Sequence, residues 1–174
     1  WGTSVALAVY ATRDISVAHL NPAVTAALAV HKPEALPIEE APFYVAAQVA
    51  GATIASAINY AVFSNGIAAF EAAKGIVRGT AASTASFAGA FGMVPNPTLM
   101  KTAAALIAEI WMTGVLVCMI FAIGDPGKTV PADAGPVLVG ATVTALITVF
   151  GPVTGCGMNP ARDIGPRLLT LCAG

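Results

Sequence analysis

The sequence predicts an all-α membrane protein in which long apolar helices alternate with two short half-helices. Three observations predict it. The tripeptide Asn-Pro-Ala stands at Asn21-Pro22-Ala23 and again at Asn159-Pro160-Ala161. Each copy is followed by a short apolar run, Ala23 to Val30 in the first and Ile164 to Leu171 in the second. With 57% hydrophobic residues, 10% charged residues and a mean hydropathy of +0.80, the chain is too apolar for an ordinary soluble domain of 174 residues.

Each tripeptide reads as a helix start. Asn is a favoured N-cap, and Pro is favoured at the first helical position, where its missing N–H has no partner to lose. Roughly ten residues at 1.5 Å of rise make about 15 Å, half of a bilayer's hydrocarbon core. The approaches, Ser16 to Leu20 and Gly151 to Met158, are rich in small residues, as expected of unwound backbone whose carbonyls face a water-filled cavity. One such tripeptide would be an ordinary helix start in a loop. Two copies with the same surroundings read as two copies of one site.

Taken in order, Trp1 to Tyr10 is apolar but too short to cross, and is expected to be the end of a spanning helix, with a water-facing turn at Thr12-Arg13-Asp14. The first half-helix follows, then a polar, proline-punctuated connection from His31 to Pro42. Phe43 to Phe63 is a full span whose small residues, Ala47, Gly51, Ala52 and Ala55, permit close helix approach. Its polar Gln48 is read as a hydrogen bond to a neighbouring helix. Ser64 to Pro97 is a long connection in which Ile67 to Val77 is expected to lie as a short surface helix. Thr98 to Ile123 spans again, Asp125-Pro126-Gly127-Lys128 turns, Ala134 to Phe150 spans, and the second half-helix runs to Gly174. The whole is one domain, 1–174, divided at 1–63, 64–97 and 98–174.

Charge and chemistry narrow the function. A net charge of −1 without a Lys/Arg cluster sets nucleic-acid binding aside. Arg13, Lys32 and Lys128 fall on one membrane face and Lys74, Arg78, Arg162 and Arg167 on the other, so charge does not orient the chain. Cys118, Cys156 and Cys172 lack the pairing of a redox or zinc site and read as free thiols, and no metal or cofactor is implied. No nucleophile and base can be placed together, which argues against an enzyme. No signal peptide is expected, and the apolar start at Trp1 reads as that of a fragment. Glu109, in the middle of a span, is the exception among apolar neighbours. Such a carboxylate either relays a proton or cation, or accepts backbone N–H bonds. With no second ionisable station inside a span, the acceptor is the better reading.

The stretches HLNPAVT and GCGMNPARDIGPR resemble the major intrinsic protein family, the aquaporins and aquaglyceroporins, and the order of elements is similar over essentially the whole chain. The resemblance implies an aquaporin-like inverted repeat of six tilted helices and two re-entrant half-helices, with one pore per subunit of a homotetramer. On that pattern the first transmembrane helix, the start of the second and the sixth are absent, and the chain is expected to be part of a longer protein. The resemblance implies that Asn21 and Asn159 are the donors at mid-pore. It further implies a filter of Trp1, Ile147, Cys156 and Arg162, pore-lining carbonyls at Ala18, His19, Gly155 and Cys156, and Glu109 as a brace for unwound backbone.

The implied function is a multi-pass channel of the plasma membrane. Its partners are lipid, its own copies, water and small neutral solutes such as glycerol, and ions and protons are excluded. A water-selective pore is the alternative, because the filter set matches neither the Phe, His, Cys, Arg pattern of water channels nor the Trp, Gly, Phe, Arg pattern of glycerol facilitators. Asp163 and the connection ending Val94-Pro95-Asn96-Pro97 look like the glycerol branch. An inverted-repeat secondary transporter and a purely structural membrane protein are further alternatives. Cys156 is expected to be the site of mercurial block, with Cys118 and Cys172 packed in apolar surroundings.

Overall fold

In the computed structural model, which describes residues 1–128 and 130–173, helix follows helix from one end to the other. The order is α1 (Gly2–Ser16), α2 (Pro22–His31), α3 (Ala41–Lys74), a 3-10 turn (Ala81–Ala85), α4 (Phe87–Phe91), α5 (Thr102–Ile123), a second 3-10 turn (Ala132–Ala134), α6 (Gly135–Thr154) and α7 (Pro160–Ala173). Among the described residues, three helices, α3, α5 and α6, are long and apolar enough to cross a membrane. The chain is an integral membrane protein.

The two half-helices sit in matching places. A helix, α1 or α6, leads into a non-helical stretch, an Asn and a short helix, α2 or α7. The two leading helices pack on each other, α5 packs on α6, and α3 lies along α7 and also meets α2. Contact of α1 with α6 depends on glycine. A Cβ on Gly140 would stand 2.9 Å from the Ala6 Cβ and collide with the Gly2 carbonyl, so both backbones approach where side chains are missing. The main apolar cluster, Met112, Leu116, Val143, Leu146, Cys156 and Met158, lies where α5 and α6 meet the second unwound stretch.

Several boundaries differ from those the sequence suggests. Thr12-Arg13-Asp14 is not a turn. It lies within α1, with the Thr12 hydroxyl donating back to the Ala8 carbonyl at 2.8 Å. These residues are polar but not helix-breaking, and the helix stops only at Val17, a left-handed cap whose N–H donates to the Arg13 carbonyl at 3.1 Å. Ile67 to Val77 is not a separate surface helix. Its residues to Lys74 continue α3, because nothing in Ser64-Asn65-Gly66 stops a helix, and one internal Gly costs only about 1 kcal/mol relative to Ala. Helix α3 ends at Gly75, whose φ of 62° is left-handed.

The second unwound stretch is shorter than Gly151 to Met158. Gly151 to Thr154 form the last turn of α6 despite Pro152, and Gly155, at φ 85°, ends it. The connection after α3 is partly helical, with Phe87 and Phe91 of α4 both buried. Cys118 and Cys172 are exposed on outer helix faces rather than packed. Gly174, given above as the end of the second half-helix, lies outside the described residues, and α7 is described to Ala173.

Candidate functional site

The two Asn-Pro-Ala copies meet head to head. Asn21 is the N-cap of α2: its Oδ1 accepts the Ala23 N–H at 2.9 Å, and Pro22 takes the first helical position. Asn159 caps α7 in the same way, its Oδ1 accepting the Ala161 N–H at 3.0 Å and the Arg162 N–H at 3.3 Å, with Pro160 first in the helix. Each Asn then reaches across to the other copy. Asn21 Nδ2 donates to the Met158 carbonyl and Asn159 Nδ2 to the Leu20 carbonyl, both at 2.8 Å. The carbonyl used is in each case that of the residue just before the opposite Asn. An amide nitrogen has two hydrogens, so one on each side chain is left over from this cross-link. The positive ends of two helix dipoles are aimed at the same place.

The unwound stretches hold strained backbone. Val17, Ala18 and Leu20 in the first and Cys156 and Met158 in the second have φ between 49° and 59°, although none is glycine. Left-handed backbone costs such residues roughly 1–2 kcal/mol each. It persists because other groups fix it. In the second stretch the fixing group is Glu109, whose two carboxylate oxygens accept the Gly157 and Met158 N–H groups, both at 3.0 Å. Gly157 suits this approach, since a Cβ there would stand 3.0 Å from Glu109 Oε2 and 3.3 Å from Met93 Cγ.

The first stretch is held by neutral groups. Thr25 is fully buried and its hydroxyl lies 3.3 Å from His19 Nδ1 and 3.1 Å from the Asn21 carbonyl. Gln48 of α3 donates to that hydroxyl at 2.9 Å, and the His19 ring stacks on Tyr44 at 4.8 Å. Gln48 thus contacts a half-helix. Thr25 and Tyr44 carry no signal in the sequence that distinguishes them from other residues of apolar helices.

One cavity of about 410 Å³ runs past both copies. Trp1, Ile147, Cys156, Arg162, Asn21 and Asn159 all line it, together with Ala18, His19 and Gly155. At one end the Arg162 guanidinium lies over the Trp1 ring, 4.7 Å from its centroid, and its Nη1 is 3.4 Å from the Phe91 carbonyl. The permanent cation with its fixed donors and the aromatic ring it stacks on thus line this end of the cavity together. The opposite end reaches Lys32 and Phe121, with the ammonium 5.3 Å from the ring centroid. Cys156 is 3% exposed, its Sγ 3.4 Å from the Met112 sulfur.

Asp163 does not line this cavity. Its Oδ1 accepts the Met93 N–H at 2.7 Å and its Oδ2 the Arg167 Nε–H at 2.9 Å, while Arg167 donates to the Met93 carbonyl at 2.5 Å. With Asn96 N–H donating to the Val153 carbonyl at 2.8 Å, these bonds fasten the connection before α5 onto α6 and α7. The sequence does not mark Phe91, Met93 and Arg167 as parts of the site. Their role depends on a backbone contact between residues about 70 positions apart.

Known proteins resemble this chain in sequence and fold. The family described as Major intrinsic protein matches residues 1–172. The glycerol uptake facilitator protein of Pseudomonas aeruginosa is 40% identical over 175 residues, covering 100% of this chain and 61% of that protein. The Escherichia coli protein of the same name is 38% identical over 179 residues, with 61% of it covered. A propanediol uptake facilitator of Salmonella typhimurium is 40% identical, with 65% covered. The X-ray structure of the aquaglyceroporin from Plasmodium falciparum superposes with a TM-score of 0.80 at 27% identity, over 99% of this chain and 65% of that one. The chain spans 61% to 65% of the length of these relatives. From the paired half-helices, the shared cavity and these matches, it follows that the chain belongs to the major intrinsic protein family.

Proposed function

We propose that this protein is a passive channel for glycerol and similar small neutral solutes, and for water, that excludes ions and protons. The observation that carries this reading is the single cavity on which the cross-linked Asn21 and Asn159 and the Arg162–Trp1 pair all open. Asn21 and Asn159 donate their remaining N–H groups to a passing oxygen. The carbonyls of Ala18, His19, Gly155 and Cys156 accept from its hydroxyls, so a solute exchanges water's hydrogen bonds for those of the wall. Two converging helix N-termini and Arg162 oppose cations, hydronium included. At the Arg162 end of the cavity the guanidinium serves hydroxyls, while Trp1 and Ile147 offer apolar surface to CH groups. That division suits a polyol, and the relatives named as glycerol and propanediol uptake facilitators support it.

Glu109 bears on the transporter alternative. Both of its oxygens are engaged with backbone N–H groups, which leaves no carboxylate inside the cavity to carry a proton with the solute. The specific observation in favour of a water-selective pore is Ile147, a bulky side chain on the wall of the same cavity. The exposed apolar faces of α3 and α5, with Ile54, Ile58, Val62, Ile107 and Trp111, suit lipid and further helices. We propose a homotetramer in the plasma membrane as the working state. The domain division at residues 64 and 98 is proposed as two pore-forming halves joined by a connection. Stopped-flow light scattering on liposomes carrying the full-length protein tests the solute. Fast shrinkage in sucrose followed by fast reswelling in glycerol is expected. Fast water flux with glycerol entry no higher than in empty liposomes selects the water-only pore.

A further inference from the structure

Arg162 is held on its outer side by a carbonyl, and that carbonyl belongs to a segment with its own ionic anchor. Segment 86–91 is tied to the end of α3 by the Glu71–Arg78 pair, whose Nη2 and Oε2 are 2.7 Å apart. Glu71 is 7% exposed and also accepts the Ser86 hydroxyl at 2.9 Å. Arg78 donates to the Tyr60 hydroxyl at 2.9 Å, and its guanidinium carbon lies 4.4 Å from the Phe87 ring centroid. The hydrogen bonds that Arg78 donates to the Glu71 carboxylate hold its guanidinium above its ordinary pKa, so the pair stays ionic. Phe87 packs on Phe91 at 5.3 Å, and the Phe91 carbonyl meets Arg162. The path from Glu71 to the filter is a series of direct contacts.

This anchor is more elaborate than a surface ion pair needs. Two charges, a tyrosine, a serine and two buried phenylalanines hold a five-residue helix whose carbonyl end faces the cavity mouth. Two residues beyond this segment, Met93 is fixed by Asp163 and Arg167. A carbonyl between these two anchors acts as a fixed stop for a long, flexible arginine.

We infer that Glu71 and Arg78 are positioning residues for solute selection: by fixing segment 86–91 against α3 they set the place of the Phe91 carbonyl, and so how far the Arg162 guanidinium, stacked on Trp1, projects into the cavity. The inference rests on the channel reading above. A solute that fills the passage beside this pair depends on its width more steeply than water does. Releasing the anchor therefore penalises glycerol ahead of water, whereas a merely structural role would lower both fluxes together through the number of folded channels.

The test is the ratio of glycerol to water permeability in liposomes of the full-length protein. Glu71→Gln is expected to lower it at least threefold, and Glu71→Asp, which keeps the charge, to restore part of it. Arg78→Lys, which keeps the charge and loses the fork, carries the same test if Glu71→Gln does not fold. It too is expected to lower the ratio at least threefold. Any smaller fall, a rise, or a proportional loss of both fluxes overturns the proposal. A parent protein that passes no glycerol overturns the channel reading and this proposal with it. A selective parent with unmoved variants overturns only this one.

Discussion

Glu109 shows how one side chain supports a stretch of irregular backbone. Its removal in Glu109→Ala leaves the Gly157 and Met158 N–H groups without partners, at roughly 1–3 kcal/mol each. The expected result is a lower Tm and a lower yield in detergent, with the channels that fold still rejecting protons. A stable variant that moves protons would contradict the brace. Cys156 gives a second residue-scale expectation. Mercurials are expected to block flux through Cys156, which lines the cavity, while neither Cys118 nor Cys172 lines it. Equal sensitivity of Cys156→Ser and the parent would dismiss that assignment. Asn21, Asn159 and Glu109 are legible in the sequence because Asn before Pro and a carboxylate among apolar residues each have few physical explanations. Val17, Leu20 and Met158 are not legible as left-handed residues. Their side chains argue against that backbone; Asn159 and Glu109, far away in the chain, bond Leu20 and Met158, and Val17 is the cap that closes α1 onto the Arg13 carbonyl.

At the scale of elements, the half-helices begin where capping chemistry puts them, at Pro22 and Pro160. The long helix α3 is the instructive difference. Its 34 residues rise about 51 Å, well beyond a bilayer core of about 30 Å. Hydropathy marks where such a helix leaves the apolar layer and says nothing about where its backbone stops, so the span read from Phe43 to Phe63 underestimates it. Gly66 distinguishes a continuous helix from two. Nothing lies within 4 Å of a Cβ at this position, so Gly66→Ala is expected to be neutral or to stabilise by up to about 1 kcal/mol. Gly66→Pro is expected to cost about 3 kcal/mol by breaking the helix. Thermal unfolding of the two variants decides, and a harmless Gly66→Pro would restore the separate surface helix. The α1–α6 crossing carries a parallel expectation. Gly140→Val is expected to abolish folded protein on size-exclusion chromatography, because Ala6 and the Gly2 backbone leave no room for the added groups.

For the whole molecule, the account is that two copies of one motif, fastened to each other by Asn21 and Asn159, make a path for neutral solutes and no path for protons. The sequence carries the duplication in plain form. It does not carry the fastening of segment 86–93 to α3 and α7, which depends on contacts between elements far apart in the chain. The most direct measurement records glycerol entry and luminal pH together, in liposomes of the full-length protein under an imposed proton gradient. The account predicts glycerol flux well above that of empty liposomes, linear in the glycerol gradient, unchanged by the proton gradient and without change in luminal pH. A pH change that keeps step with glycerol entry would contradict it.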